Sequence, residues 1–300
     1  MIFMGFEFPP YRPPSEAYSM LIRVTRNCPW NRCAFCSMYK GQKFSRRPIE
    51  DVKNDISIAA EVYGERPTMF WADSNSIVLK TEELLDILNH TYKVYPNLER
   101  ITSYARAKTI LHTKTVEELK RLHEAGLTRL HLGLETGDDW LLKFINKGAT
   151  AEEMIKAGRM VVESGIHLSE YVILGLGGVE RSQVHAKETA KVLNQIDPSF
   201  IRVRTLIPIP TTPLHEAFQK GVLHLCSPLD VLKETRTLID GLEVNSEFIS
   251  DHVSNYLTVE GKLPEEKDTM LEFLDSHIEL LEADPETGRK LLQPEYLRRL

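Results

Sequence analysis

Three hundred residues suffice for one large domain or two small ones. Apolar residues make up 42% and charged residues 27%, the balance of a chain that can bury a core. Lys plus Arg is 37 against 43 for Asp plus Glu, so the formal net charge is −6. That argues against nucleic-acid binding through a broadly basic surface, though not against a local basic pocket. Four cysteines in a chain this long do not make a disulfide scaffold. Met1 to Pro14 lacks the basic start and apolar run of a signal peptide. The longest apolar stretch, Tyr171 to Val179, is too short to span a bilayer. A cytoplasmic protein with reduced thiols is expected, with no membrane partner.

In chain order, short apolar runs alternate with longer amphipathic ones. Ser19 to Thr25 reads as a strand, and a cysteine-bearing loop follows it. A helix is predicted from Pro48 to Tyr63, with Pro48 suited to its first turn. Thr68 to Ala72 is the second strand, and Thr81 opens the next helix with Glu82 and Glu83 near its positive end. Arg100 to Arg106 is the third strand. Thr115 starts a helix, with Glu118 at the capping-box position. Arg129 to Glu135 is the fourth strand, followed by helical stretches over Asp138 to Asn146 and Ala151 to Ser164. Ile166 to Leu174 is a strand, Ser182 to Gln195 a helix and Phe200 to Leu206 a strand.

Such alternation implies parallel strands with helices outside them. The fold class is α/β, either a doubly wound sheet or an incomplete β/α barrel. After the proline-rich exit Ile207 to Pro213, Leu229 to Leu242 and Glu265 to Leu281 read as helices with no clear strand between them. The expected organisation is an N-terminal extension over 1–17, a core over 18–210 and a helical C-terminal cap over 211–300.

The loop after the first strand reads Arg26-Asn-Cys28-Pro-Trp-Asn-Arg-Cys33-Ala-Phe-Cys36-Ser-Met-Tyr39. In α/β folds the C-terminal ends of the strands carry the chemistry. A zinc site would need a fourth ligand, and the nearest histidine is His90. A redox pair at Cys33 and Cys36 would leave Cys28 idle. An iron–sulfur cluster with three protein ligands uses all three and leaves one iron open for a small molecule.

Three cysteines after strand one, with an aromatic residue before the third, resemble the radical S-adenosylmethionine (SAM) superfamily. The resemblance covers residues 18–210. The usual spacing there is Cys-x3-Cys-x2-Cys, whereas this chain has Cys28-x4-Cys33-x2-Cys36. The surrounding pattern is most similar to anaerobic coproporphyrinogen oxidases, methylthiotransferases and the Elongator catalytic subunit. The resemblance implies a partial (β/α)6 TIM-like barrel and a [4Fe–4S] cluster on Cys28, Cys33 and Cys36. SAM would chelate the fourth iron and be cleaved reductively to a 5′-deoxyadenosyl radical that abstracts hydrogen from substrate. An electron donor such as flavodoxin or ferredoxin is implied as a partner.

The same resemblance assigns SAM contacts. Phe35 stands in the aromatic slot near the adenine. Ala72-Asp73-Ser74-Asn75 replaces a Gly-Gly-Glu-like turn that binds the SAM amino group. His131-Leu-Gly-Leu-Glu135-Thr resembles a motif whose acidic side chain faces the SAM ribose or amino acid. Lys147 stands where an arginine reaches the SAM carboxylate, and Arg159 could take that role instead. Gly175-Leu-Gly-Gly resembles the glycine motif of strand five, where a ligand approaches the backbone. Leu206 fits the apolar wall beside the adenine. Each has a plainer reading as a core, capping or solvated surface residue.

Strand alternation alone places Arg23, Thr25, His131, Glu135, Arg202 and Arg204 inside a barrel, with Arg106 and Tyr104 on one parity and Glu170 also inward. An arginine-rich interior is costly unless it meets anions. It therefore points to a substrate with carboxylate or phosphate groups, which arginine binds bidentately. Internal Arg–Glu pairing is the alternative. Tyr104 and His131 are candidate proton or hydrogen-atom donors.

Cys226 alone lies outside the motif, so a second all-cysteine cluster is excluded. No Asp-x-His-x-x-Gly cobalamin motif occurs. The leading expectation is a radical-SAM enzyme acting on an anionic small molecule. A tRNA- or peptide-modifying radical-SAM enzyme and a non-catalytic iron–sulfur or zinc protein carrying SAM or haem are the rivals.

Overall fold

The structure is a computed structural model that describes residues 11–290 and 292. Residues 1–10 of the expected N-terminal extension lie outside the described residues, as do 291 and 293–300 of the expected cap.

The chain forms two compact units. In the first, a short 3-10 turn over Pro14–Glu16 leads into β1 (Met20–Arg23). A small antiparallel pair, β2 (Thr25–Arg26) and β3 (Ser45–Arg46), closes the base of the cysteine loop. There follow α1 (Ile49–Tyr63), β4 (Thr68–Ala72), α2 (Thr81–Val94), β5 (Arg100–Ala105), α3 (Ala107–Thr113), α4 (Val116–Glu124) and β6 (Leu127–Glu135). β1 pairs parallel with β4 in the register Arg23↔Ala72, β4 with β5, and β5 with β6. Parallel strands covered on both faces read as near-continuous apolar runs. Met69, Phe70, Trp71 and Ile101 accordingly show no exposed surface, and Val52 and Ile56 of α1 and Leu84 and Leu88 of α2 are buried as well.

The second unit takes in segment 32–38, the end of β6, α5 (Asp139–Phe144) and most of α6 (Ala151–Glu163). It continues through β7 (His167–Leu174), α7 (Gly178–Ile196), β8 (Phe200–Thr205), α8 (Pro213–Gln219), α9 (Pro228–Asp240), β9 (Glu247–Ile249), β10 (Glu260–Lys262), α10 (Lys267–Ala283) and α11 (Pro285–Lys290). β7 and β8 run parallel, and Val172, Ile173, Ile201 and Val203 are buried. α9 packs on both α7 and α10. The strands follow one another in the order β1-β4-β5-β6-β7-β8-β9-β10, parallel in every pairing described except β9 with β10. The α/β class with a mostly parallel sheet, as in a partial TIM-like barrel, is borne out.

Three differences from the sequence reading have local causes. The strand expected over Ser19 to Thr25 ends at Arg23, and the chain then diverts into the β2–β3 pair. The seven-residue helix α3 follows β5 directly and is too short for periodicity to reveal. The segment beyond 210 is not purely helical, because β9 joins β8 in parallel and β10 pairs with β9. Each is three residues long, and β9 buries only Phe248, so neither shows an alternating pattern.

The capping box read from the sequence is present. Glu118 N–H donates to Thr115 Oγ1 at 3.1 Å, and Thr115 N–H donates to the Glu118 carboxylate at 2.8 Å. Thr115→Ala removes the first of these bonds. Urea denaturation should show a loss of about 1 kcal/mol.

Candidate functional site

In the first unit the site begins at the end of β1. Arg23 Nε meets the Asp73 carboxylate at 2.9 Å, and both side chains are almost fully buried. Asp73 lies just past β4 with φ +68, a left-handed conformation that a non-glycine residue adopts at a cost. Its carboxylate also accepts the Asn27 N–H at 3.4 Å. Ser74 Oγ donates to the Asn27 carbonyl at 2.9 Å, and Asn27 Nδ2 donates to the Lys43 carbonyl at 2.9 Å. Asn75 Nδ2 donates to Thr109 Oγ1 at 2.7 Å. The turn expected to meet SAM is thus built into the support of Cys28. Asp73 and Ser74 hold the chain before Cys28, and Asn75 anchors the turn to α3.

Three further candidates of this unit have their own partners. The Arg106 guanidinium lies over the Trp30 ring of the cysteine loop, 5.4 Å from its centroid. Tyr104 and His131 pack edge-on against Phe70 and each other. His131 Nε2 lies 3.5 Å from buried Glu16, which also accepts from Ser19 Oγ and Arg100. Burial alone would raise the Glu16 carboxyl, but His131, Ser19 and Arg100 outweigh it and hold it at about 2. His131 therefore belongs to a buried polar cluster fed by the segment before β1.

In the second unit Cys33 and Cys36 form a turn, with the Cys36 N–H on the Cys33 carbonyl at 3.3 Å. Ala34 between them is tied by its N–H to the Ile145 carbonyl and by its carbonyl to the Leu214 N–H. Ala34 lies in a buried core with Leu141, Ile145, Ile173, Leu176 and Leu214, and Phe35 and Leu206 pack against it. The two residues expected near the adenine thus share one apolar cluster.

Glu135, the last residue of β6, has φ +64. Lys147 Nζ donates to its Oε1 at 2.7 Å, with both side chains largely buried. Its buried Oε2 has no hydrogen-bond partner among the described residues. A Cβ at Gly133 would meet the ends of the flexible Glu135 and Lys147 side chains, which would have to shift. Glu170 of β7 is fully buried nearby; burial pushes its carboxyl well above the ordinary range, against the pull of Lys147. Arg159 is engaged elsewhere, its Nε donating to the Gln195 carbonyl in the last turn of α7 at 2.7 Å.

Gly175 has φ +74, and its N–H donates to Glu234 Oε1 of α9 at 2.6 Å. His185 Nε2 lies 3.5 Å from the same oxygen, and its Nδ1 lies 2.7 Å from Thr136 Oγ1. Glu234 therefore holds the glycine turn after β7, and His185 meets the residue following Glu135. Burial raises Glu234 to about 7 and lowers His185 to about 4. Cys226 is pushed up to about 12 by burial and then by Glu234 and Asp230, which keeps it a thiol. Neither Glu234 nor His185 was visible as a site residue in the sequence, since each reads there as one polar residue in an amphipathic helix.

The expected arginine-rich interior needs correction at Arg202, which lies 3.3 Å from Asp251 just beyond β9. With Arg23 held by Asp73, internal pairing accounts for two of the four arginines. Arg204 is half-buried beside His252, which burial and then Arg204 hold below its ordinary value.

The donor set fits the two cofactors. Three half-buried thiols lie within nine residues of one loop, with the Asn31 N–H on Cys28 Sγ at 3.4 Å. The nearest histidine in sequence is His90, so the loop itself supplies three sulfur ligands and no fourth. A buried ammonium beside an incompletely bonded carboxylate matches the charges of an amino acid, and an apolar cluster with Phe35 suits a nucleobase.

Comparison with known proteins agrees. The sequence profile of the radical SAM superfamily matches residues 22–188, more than half of the chain. The chain is 25% identical over 240 residues to an uncharacterised methyltransferase of Pyrococcus horikoshii, covering 79% of this chain and 49% of that protein. It is 30% identical over 189 residues to biotin synthase of Maridesulfovibrio salexigens, covering 61% and 54%. The chain thus spans about half the length of these relatives. The fold is similar to coproporphyrinogen III oxidase of Escherichia coli, with a TM-score of 0.55, 18% identity and coverage of 74% and 52%. The chain belongs to the radical SAM superfamily, whose cofactors are a [4Fe–4S] cluster and SAM. No helix among the described residues is long and apolar enough to cross a membrane.

Glu234 gives a pH signature. Its folded value of about 7 lies above the ordinary 4.5, so between these values the unfolded chain releases a proton that the folded chain keeps. Stability from this group therefore falls as pH rises through that window. His185 acts oppositely, with stability lost as pH falls from 6.5 towards 4. Glu234→Gln removes only the first effect. Urea denaturation at pH 5 and pH 8 should show the wild type losing on the order of 2 kcal/mol relative to this variant.

Proposed function

We propose that the chain is a radical-SAM enzyme that abstracts hydrogen from an anionic small molecule. The observation that carries this reading is the strained Glu135 with its buried Lys147 partner and its unbonded oxygen. Cys28, Cys33 and Cys36 would hold the cluster by three irons. When bound, the reduced cluster supplies the electron that cleaves SAM to methionine and a 5′-deoxyadenosyl radical. Glu135 Oε2 would accept from the SAM amino group, and Lys147 would donate to its carboxylate. Phe35 and Leu206, on their common apolar core, would exclude water at the adenine, and the Gly175 turn would approach the nucleoside. Asp73 and Ser74 act from behind the loop, by holding Asn27, while Asn75 ties the same turn to Thr109. Glu170 is kept as a neutral acid and can donate one hydrogen bond to an acceptor on SAM or substrate.

Arg204 would bind the substrate anion. Arg106 fits a role in holding Trp30. Tyr104 and His131 are packing partners of Phe70 and are not assigned a proton transfer. A flavodoxin or ferredoxin would supply the electron. A tRNA substrate is the weaker reading, because the net charge is −6 and two interior arginines already have carboxylate partners.

Anaerobic reconstitution with iron and sulfide should give the absorbance near roughly 400 nm of such clusters. Dithionite and SAM should then release 5′-deoxyadenosine. Cys33→Ala should lose the absorbance. Glu135→Gln and Lys147→Ala should keep the cluster but weaken SAM binding in equilibrium dialysis by roughly tenfold or more. Anion-exchange fractions of a metabolite extract should stimulate 5′-deoxyadenosine release in the wild type and not in Arg204→Ala. A loaded wild type that never cleaves SAM would overturn the proposal.

A further inference from the structure

The first gap of the cysteine motif holds four residues, Pro29-Trp-Asn-Arg32, where three are usual. The added residue must be accommodated without carrying Cys33 out of reach of a cluster shared with Cys28. Asn31 sits where that happens. Its φ is +47, a left-handed conformation that asparagine tolerates better than other side-chain-bearing residues. The turn points its N–H back at Cys28 Sγ, 3.4 Å away. Its side-chain amide donates to the Tyr39 carbonyl and, at 3.4 Å, to the Gln42 carbonyl. Its own carbonyl accepts from Lys40 Nζ at 2.9 Å.

Those partners share a position in the chain. Asn31 precedes, and Tyr39 follows, the seven-residue segment 32–38 that carries Cys33, Phe35 and Cys36. The amide therefore clasps the two ends of that excursion, while the backbone N–H of the same residue touches the first ligand. The β2–β3 pair closes the loop further out, through Thr25↔Arg46 and Arg26↔Ser45. Between that base and the ligands, Asn31 is bonded both to Cys28 and to the returning chain at Tyr39 and Gln42.

We infer that Asn31 is a positioning residue for the cluster: it takes up the longer first gap, clasps the ends of segment 32–38, and donates a hydrogen bond to the Cys28 thiolate. This rests on the reading that the three cysteines hold the cluster. Groups next to a metal ligand commonly change metal retention by ten- to a hundredfold. A hydrogen bond to a ligating sulfur also stabilises the more negative, reduced cluster and so raises its potential. The two effects come from different atoms of Asn31 and can be read separately.

The experiment uses the reconstituted full chain and the variants Asn31→Ala and Asn31→Gly. Alanine loses both the amide and the easy left-handed turn. Glycine loses the amide but keeps the turn and its N–H. Release of iron to an excess chelator is followed by the fading of the roughly 400 nm band. Asn31→Ala should release iron roughly tenfold faster than the wild type or more, with Asn31→Gly between them. In an electrochemical titration the potential of Asn31→Ala should be more negative than that of the wild type. Asn31→Gly should recover most of that shift. Thermal unfolding of the metal-free chains should coincide, which separates the effect from general loss of fold. Variants that match the wild type in both release rate and potential overturn the inference, as does a common potential with only the melting temperature changed. A wild type that takes up no iron overturns instead the reading of the three cysteines.

Discussion

The buried pair of Arg23 and Asp73 sets the position of the chemistry in the first unit. Two charges out of water are expensive, and their attraction offsets this only when remaining hydrogen-bonding groups are also satisfied. Here the Asp73 carboxylate takes a second donor, the Asn27 N–H, and the neighbouring Ser74 hydroxyl takes the Asn27 carbonyl. Both backbone groups of the residue before Cys28 are therefore fixed by the turn after β4. The parallel register Arg23↔Ala72 brings the two charged residues together, since Asp73 is the next residue along. Replacing either partner alone would leave a buried charge uncompensated, a loss of about 3–5 kcal/mol in comparable pairs. The pair is better understood as a locating device than as a source of stability.

The second unit solves a related problem with three ionisable groups. Glu135 and Lys147 are an ion pair, and a second full negative charge on Glu170 would be costly beside them. Burial removes it by raising Glu170 well above the ordinary carboxylate range. One oxygen of Glu135 is still without a donor among the described residues. A zwitterionic amino acid adds no net charge to such a place, while a simple anion or cation would. A Cβ at Gly133 would displace the ends of the Glu135 and Lys147 side chains and so disturb the pair.

The sequence showed the framework through local signals. Alternating apolar runs revealed the strands and helices, Thr115 and Glu118 revealed a helix start, and three cysteines within nine residues revealed the loop. Glu135 and Lys147 were also found, because a motif names one and sits close before the other. Long-range partners carried no such signal. Asp251 reaches Arg202 across 49 residues, Glu234 reaches Gly175 across 59, and Glu16 reaches His131 across 115 positions of sequence. Alternation can say that an arginine points inward, but it cannot say what meets it there. Strands of three residues, such as β9, are equally silent, since two apolar residues define no period.

That blindness to partners changes the charge argument about the substrate. Four inward arginines would have made a strongly positive interior, yet Asp73 and Asp251 neutralise Arg23 and Arg202, and Arg106 lies over the Trp30 ring. The case for an anion therefore concentrates on Arg204 and its neighbour His252. The Ser254 N–H donates to His252 Nδ1 at 3.1 Å, which places the ring proton on Nε2 and fits a neutral imidazole. Burial and then the Arg204 charge hold it below the ordinary imidazole value, against the pull of Asp251. An anion held by Arg204, as proposed, would relieve part of that repulsion and make His252 easier to protonate. Binding at Arg204 and proton uptake at His252 are then linked, so a substrate anion would bind more tightly as pH falls towards the value at which His252 titrates.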